Sequence, residues 1–277
     1  MQYGFVIPGG EAHEIIEMAQ EAEQAGWDGV FYWDGIYIES VGPMFDPWAI
    51  LAAIAMRTSH IRIGAMLTPL SRRRPWKLAR ETVTVDVLSS GRLIVPVGLG
   101  ALEDGGFGNV GEVTERKKRA ELLDEGLEIL TGLWSGQPFS FAGQHYTLKE
   151  MTFLPTPVQS PRIPIWVVGA WPRTKSLQRA LRYDGLLPAK VDEKGHLTDV
   201  TPDDIRAMKA YSVEHRTQTG PFDIVWEGET PADDKRQARE IVRPWEEAGA
   251  TWWLEARWGP PSRLDEARVR IKQGPPR

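Results

Sequence analysis

Eight short apolar runs alternate with helical stripes along this 277-residue chain, one irregular excursion interrupts them, and no linker divides them. Together these observations predict one α/β domain over residues 1–277, a (β/α)8 barrel. The clearest unit is Ile61–Gly100. There an apolar run, Ile61–Leu67, breaks at Thr68-Pro69 and passes through Ser71-Arg72-Arg73-Arg74 into an amphipathic helix. Ser89-Ser90-Gly91 ends that helix before a second apolar run, Leu93–Leu99. Two such runs around a helix are parallel strands buried on both faces. A doubly wound open sheet is the alternative, but it would usually bind through an early glycine fingerprint, and none is present.

In chain order, Tyr3–Ile7 reads as a strand stopped by Pro8-Gly9-Gly10. Glu11–Ala25 is a helix with a stripe at Ala12, Ile15, Ile16, Ala19 and Ala22, and Gly26 follows at the C-cap position. Asp28–Trp33 is the second strand, and Asp46 caps a helix over Pro47–Met56. After the Ile61–Gly100 unit, a glycine-rich loop leads to a helix over Thr114–Trp134. Residues 136–164 leave the rhythm: Phe139–Tyr146 reads as a small hairpin, and Pro155, Pro157, Pro161 and Pro164 stiffen an extended connection. Ile165–Val168 and Asp184–Leu187 are strands five and six around a helix over Thr174–Arg182. Val191–Val200 reads as a surface loop. A helix capped by Thr201 covers Pro202–Arg216, strand seven is Phe222–Glu227, and a helix over Ala232–Ala248 ends at Gly249. Ala250–Glu255 and the helix Leu264–Ile271 complete the eightfold repeat.

Composition narrows the function. The net charge of −5 is mild and dispersed, so nucleic acid is not the expected partner. No apolar tract is long enough to span a membrane, and the N-terminal residues do not read as a signal peptide. The chain has no cysteine, which excludes disulfides and thiolate nucleophiles and fits a reducing, cytoplasmic location. Its five histidines, His13, His60, His145, His196 and His215, show no ligand spacing, so no metal is expected. No nucleophile-elbow signature appears either.

In a (β/α)8 barrel the site lies at the C-terminal strand ends. Those positions here are Pro8, Asp34, Met66 to Pro69, Gly98 to Leu102, Gly169 to Trp171, Pro188, Glu227 and Glu255 to Trp258. They are mostly glycine and apolar residues with a few charges, a lip suited to a large flat ligand that brings its own chemistry. Gly98-Leu99-Gly100 fails as a dinucleotide fingerprint, because Glu103 stands at the third glycine position. Gly169-Ala170-Trp171-Pro172-Arg173 is a small-residue turn into a helix, with free amides and a guanidinium that would suit a phosphate; a plain turn is the competing reading. Glu227 and Glu255 follow adjacent strands, so a hydrolase with paired carboxylates is an alternative. Arg72-Arg73-Arg74 reads first as a solvated loop and second as an attractor for an anionic tail.

The segments Arg62–Gly100, Glu115–Tyr146, Pro155–Pro172 (PTPVQSPRIPIWVVGAWP) and Arg179–Pro188 (RALRYDGLLP) resemble the bacterial luciferase-like family of flavin- and deazaflavin-dependent oxidoreductases. The resemblance spans most of the chain, and the last ninety or so residues match mainly by pattern and by AGATWW, Ala248–Trp253. It implies a TIM barrel holding FMN or coenzyme F420 at the strand ends. The ring would lie on a bulged third strand at Ala65, Met66 and Leu67, with a non-prolyl cis peptide mapping to Ala65-Met66. The family's phosphate contacts map to Gly169 and Ala170, and Asp34 would be the acidic group near the reacting face; Gly98, Gly100 and Trp171, at the strand ends, are the further expected cofactor contacts. Trp33, Tyr37, Glu227, Glu255 and Arg257 are the expected substrate contacts. The chain departs from the family where relatives carry a histidine (Gly35 here), a glutamate (Ala101) and a Gly-Gly turn (Gly169-Ala170). FMN would allow monooxygenation, whereas a deazaflavin restricts the chemistry to hydride transfer; the short chain, without large insertions, leans toward F420. A non-catalytic flavin-binding relative is a further alternative. The family resemblance also implies a homodimer formed through barrel helices and a small-molecule substrate.

Overall fold

The computed structural model describes residues 1–39, 41, 43–257 and 264–277. Strand β1 (Gln2–Ile7) leads to α1 (Ala12–Gln24), and β2 (Gly29–Tyr32) leads to α2 (Pro47–Arg57). The third barrel position is split into β3 (Arg62–Ala65) and β4 (Thr68–Pro69), followed by α3 (Pro75–Leu88). Strand β5 (Val95–Gly98) and α4 (Arg116–Trp134) come next. A hairpin of β6 (Pro138–Ala142) and β7 (Thr147–Thr152) stands outside the barrel. The remainder is β8 (Ile165–Trp171), α5 (Thr174–Leu181), β9 (Gly185–Val191), β10 (Leu197–Thr198), α6 (Pro202–His215), β11 (Asp223–Gly228), α7 (Lys235–Ala248), β12 (Trp252–Ala256) and α8 (Leu264–Lys272).

The main sheet runs β3-β2-β1-β12-β11-β9-β8-β5-β4, with every pairing on that path parallel. A parallel bridge from Ile63 to Leu93, with the Ile94 amide donating to the Ile63 carbonyl at 2.8 Å, joins β3 to the start of β5 and closes the ring. Counting β3 and β4 as one interrupted strand gives the eight positions expected of a (β/α)8 barrel.

Three differences from expectation follow from hydrogen bonding that extends beyond the apolar runs. Strands β8 and β9 pair as far as Trp171 and Lys190, past the apolar stretch. The Val191–Val200 segment carries β10, which folds back antiparallel on β9. The hairpin's return strand lies at Thr147–Thr152, with the turn over residues 143–146, and the Glu125 carboxylate on α4 receives the amides of Gln144, His145 and Tyr146 at 2.6–3.2 Å.

The barrel interior is a packed core. Phe31, Trp166 and Trp252 meet there with ring centroids 5.2–6.2 Å apart. Glycines on the surrounding strands make the room: a Cβ on Gly64 would lie 2.6 Å from the Ile94 carbonyl and 3.1 Å from Phe31, and one on Gly185 would lie 2.4 Å from Trp166. Val6, Met66, Ile94, Leu187, Val225, Leu254 and Ala256 complete this inner cluster, which is separate from the larger one between barrel and helices. Alternation along a strand therefore assigns each side chain to the interior or the helix layer.

Candidate active site

Alternation also defines the mouth. Met66 is inward and buried, and a Cβ on Gly98 would meet Val168 and Leu67, so that glycine also faces inward. Ala170 and Ala189, register partners on β8 and β9, continue the inward rows of Val168 and Leu187, and Ala256 ends the inward row of β12. The floor at the strand ends is thus built of glycine, alanine and apolar side chains. The non-prolyl cis peptide lies between Met66 and Leu67, one residue later than Ala65-Met66, in the interruption between β3 and β4.

The remaining expected cofactor residues divide by face. Ala65 is fully buried in the helix-side cluster, so its side chain cannot line the mouth. Gly169 also faces the helix layer, where a Cβ would lie 2.4 Å from Leu186 and 2.9 Å from Leu177; its small size serves packing. Trp171 packs edge-on against Tyr211 of α6 at 6.2 Å, away from the ledge. The Ala170 amide already donates to Ser176 Oγ at 2.9 Å. Gly100, at φ 76°, turns the chain between Pro69 and Phe107, each 2.9 Å from where a Cβ would sit. Trp33 is half-buried, while Tyr37 is exposed.

The charged candidates occupy two separate networks. Asp34 has no exposed side-chain surface, and both its oxygens face arginines: Arg73 Nε at 2.9 Å and Nη2 at 2.8 Å, and Arg72 Nη2 at 3.3 Å. Arg72 also donates to the Asp34 carbonyl at 2.7 Å and pairs tightly with Asp104, with its guanidinium 4.9 Å from the Phe107 ring centroid. Asp104 in turn accepts the amides of Ile36, Tyr37 and Gly106 at 3.1, 2.9 and 2.8 Å. Burial would raise the Asp104 pKa, but the amides and Arg72 outweigh it and hold it below the usual carboxylate range. Burial likewise works to lower Arg73, and Asp34 reverses it, raising its pKa. The arginines are therefore not a solvated run: Arg72 and Arg73 are the inner half of a buried clamp. Asp104 and Arg72 escape a sequence reading because the signal is spread over loops after three different strands.

Glu255, expected at the mouth, faces the helix layer instead. It is fully buried and accepts the Thr230 amide at 2.8 Å and hydroxyl at 2.6 Å, with Arg257 at 3.5 Å and Arg270 at 3.7 Å. Arg257 belongs to the same network, donating to the Thr230 carbonyl at 2.6 Å. Glu227 is register partner of the inward Leu254, so it points into the barrel mouth. Glu227 and Glu255 thus stand on opposite faces of the sheet, which removes the paired-carboxylate geometry of a hydrolase. Trp258, the last of the expected mouth positions, lies outside the described residues. Among the described residues no three His, Cys, Asp or Glu side chains group as metal ligands, and no helix is long and apolar enough to cross a membrane.

A closed parallel barrel whose mouth offers a ledge of small and apolar residues has room for a flat organic ligand. The family described as luciferase-like monooxygenase matches residues 1–270, and the chain belongs to it. It is 31% identical over 171 residues to an F420-dependent glucose-6-phosphate dehydrogenase of Microbacterium testaceum, covering 60% of this chain and 49% of that protein. It is 30% identical over 168 residues to an F420-dependent hydroxymycolic acid dehydrogenase of Mycobacterium tuberculosis, covering 59% and 45%. The chain thus matches about half the length of these curated relatives. The structure of an F420-dependent tetrahydromethanopterin reductase from Methanopyrus kandleri matches with a TM-score of 0.76 at 15% identity, over 99% of this chain and 98% of that one. An F420-dependent secondary alcohol dehydrogenase matches with a TM-score of 0.68 at 20% identity, over 99% and 84%.

Proposed function

We propose that this chain is an F420-dependent oxidoreductase acting on a small organic substrate at the barrel mouth. The observation that carries the reading is the ledge of Met66, Leu67, Gly98 and Ala170, whose small or apolar side chains fit a flat ring. The relatives named for F420 support the choice of deazaflavin. Bound there, a deazaflavin supplies hydride donation or acceptance. The protein's residues bind and orient the ring and exclude water. Arg116 and Arg173 converge on Gly195, the former donating to its carbonyl at 3.4 Å, and suit the anionic tail of the cofactor. Glu227 is the carboxylate placed to touch substrate. Asp34, held between two arginines, is a positioning group rather than the proton carrier.

Fluorescence titration with F420 and with FMN tests this reading. Tight F420 binding is the expected result, and binding of neither overturns it. Preferential FMN binding with substrate-dependent oxygen uptake would move the reading to monooxygenation. Bound F420 that no donor reduces and no acceptor oxidises would leave a non-catalytic relative. A homodimer is part of the proposal: Met56, Val87 and Leu88 leave apolar surface exposed on the neighbouring helices α2 and α3. A monomer by light scattering overturns that part. A cytoplasmic setting completes the reading, consistent with a chain without cysteine.

A further inference from the structure

The loop after β2 and the loop after β5 behave as one wall of the mouth. Besides the three amides on Asp104, the Gly105 amide donates to the Tyr37 carbonyl at 2.7 Å. The packing is close enough that a Cβ on Gly106 would lie 2.5 Å from Ile36, and one on Gly105 would lie 3.0 Å from Tyr37. Arg72 ties both loops from beneath. This wall nevertheless presents apolar side chains to solvent: Ile36 is 55% exposed, Tyr37 55%, Leu102 49% and Val110 60%. Isolated exposed apolar residues need no explanation, but four on two loops fastened together beside a ligand-binding mouth do. Charge points the same way. Arg72 and Arg73 are consumed by Asp34 and Asp104, and the other charges on these loops are the acidic Glu39, Asp46, Glu103, Glu112 and Glu115. An anionic substrate would meet repulsion here.

We infer that this wall is a substrate-docking lip and that the substrate is an uncharged, predominantly apolar organic molecule rather than a sugar phosphate. The inference rests on the barrel mouth being the active site. Asp34, Arg72 and Asp104 are its positioning residues: they hold the backbone of Ile36 and Tyr37 so that the apolar side chains stand ready, which lowers the ordering cost of binding.

Ligand-observed NMR on the full chain, with and without F420, gives dissociation constants for the methyl ketones from 2-butanone to 2-decanone and for glucose 6-phosphate. Binding should tighten roughly fourfold per added methylene that is fully buried. The Ile36→Ser/Val110→Ser double variant, whose positions are both more than half exposed, should fold normally by circular dichroism and flatten that slope. A flat series in the native chain, or glucose 6-phosphate binding more tightly than 2-decanone, overturns the inference. So does a variant that loses dimerisation by light scattering while keeping the ketone slope, because the lip would then be an interface between copies. Failure to bind F420 overturns the oxidoreductase reading instead, and the ketone slope without cofactor still judges the lip.

Discussion

At the scale of single residues, the decisive distinction is between a carboxylate open to substrate and one that anchors. Asp34 follows a strand at the mouth and so invites a catalytic role from sequence, but sequence cannot show that Arg72 and Arg73, thirty-eight and thirty-nine positions away, close on it. Asp34→Asn leaves two buried guanidinium groups with less compensation, and unfolding in urea should show a loss of about 3–5 kcal/mol. Loss of one limb of the pH–rate profile with stability unchanged would instead make Asp34 the proton carrier. Asp104 carries a pH dependence. Its folded pKa lies below the ordinary 3.8, so its stabilisation is fully present above that value and fades as pH falls through the folded one. Hydrogen-exchange protection at the Ile36, Tyr37 and Gly106 amides should therefore drop below about pH 4, and Asp104→Asn should abolish the transition. Asp223, at the N-terminal start of β11 and away from the mouth, has the opposite sign: burial raises its pKa despite hydrogen bonds from Thr251 and Trp166, so its contribution is greatest in acid and lost as pH rises through the folded value.

At the scale of elements, periodicity located every barrel strand and helix because burial imposes the pattern along each segment. What it could not place were features without a local pattern: the extensions of β8 and β9, the short β10, and the face taken by Ala65, Gly169 and Glu255. Successive side chains on a strand take opposite faces, so Ala65 packs on the helix side while Met66 enters the interior. The same alternation gives a test of the packed interior. Gly64→Ala drives a methyl group to within 2.6 Å of the Ile94 carbonyl beside the closing bridge, and denaturant unfolding should show a loss of about 1–3 kcal/mol. An unchanged midpoint would mean that β3 moves freely against β5.

At the scale of the whole molecule, two buried ion networks do different work. The Asp34–Arg72–Asp104 chain fastens loops over the mouth, whereas Glu255 joins the outer face of β12 to the loop after β11 and to α8. Thr230 is the hub of the second network, since it donates its amide and hydroxyl to Glu255 while Arg270 donates to its hydroxyl at 2.9 Å. Arg270 also reaches the Gly274 carbonyl at 2.6 Å, so this carboxylate is one anchor of the last helix, beside the Trp27 indole donating to the Ile271 carbonyl at 2.9 Å and Arg268 paired with Glu21 at 2.7 Å. Burial pushes the Arg270 pKa down and Glu255 opposes that shift, so the carboxylate is what keeps the buried cation tolerable. Glu255→Ala should therefore cost about 3–5 kcal/mol in urea unfolding and expose α8 to proteolysis. F420 affinity should hold under native conditions, because Glu255 faces away from the mouth. Glu227→Gln should instead reduce turnover, because that carboxylate points into the mouth. A loss of F420 affinity in folded Glu255→Ala with α8 intact would place that carboxylate in the site after all.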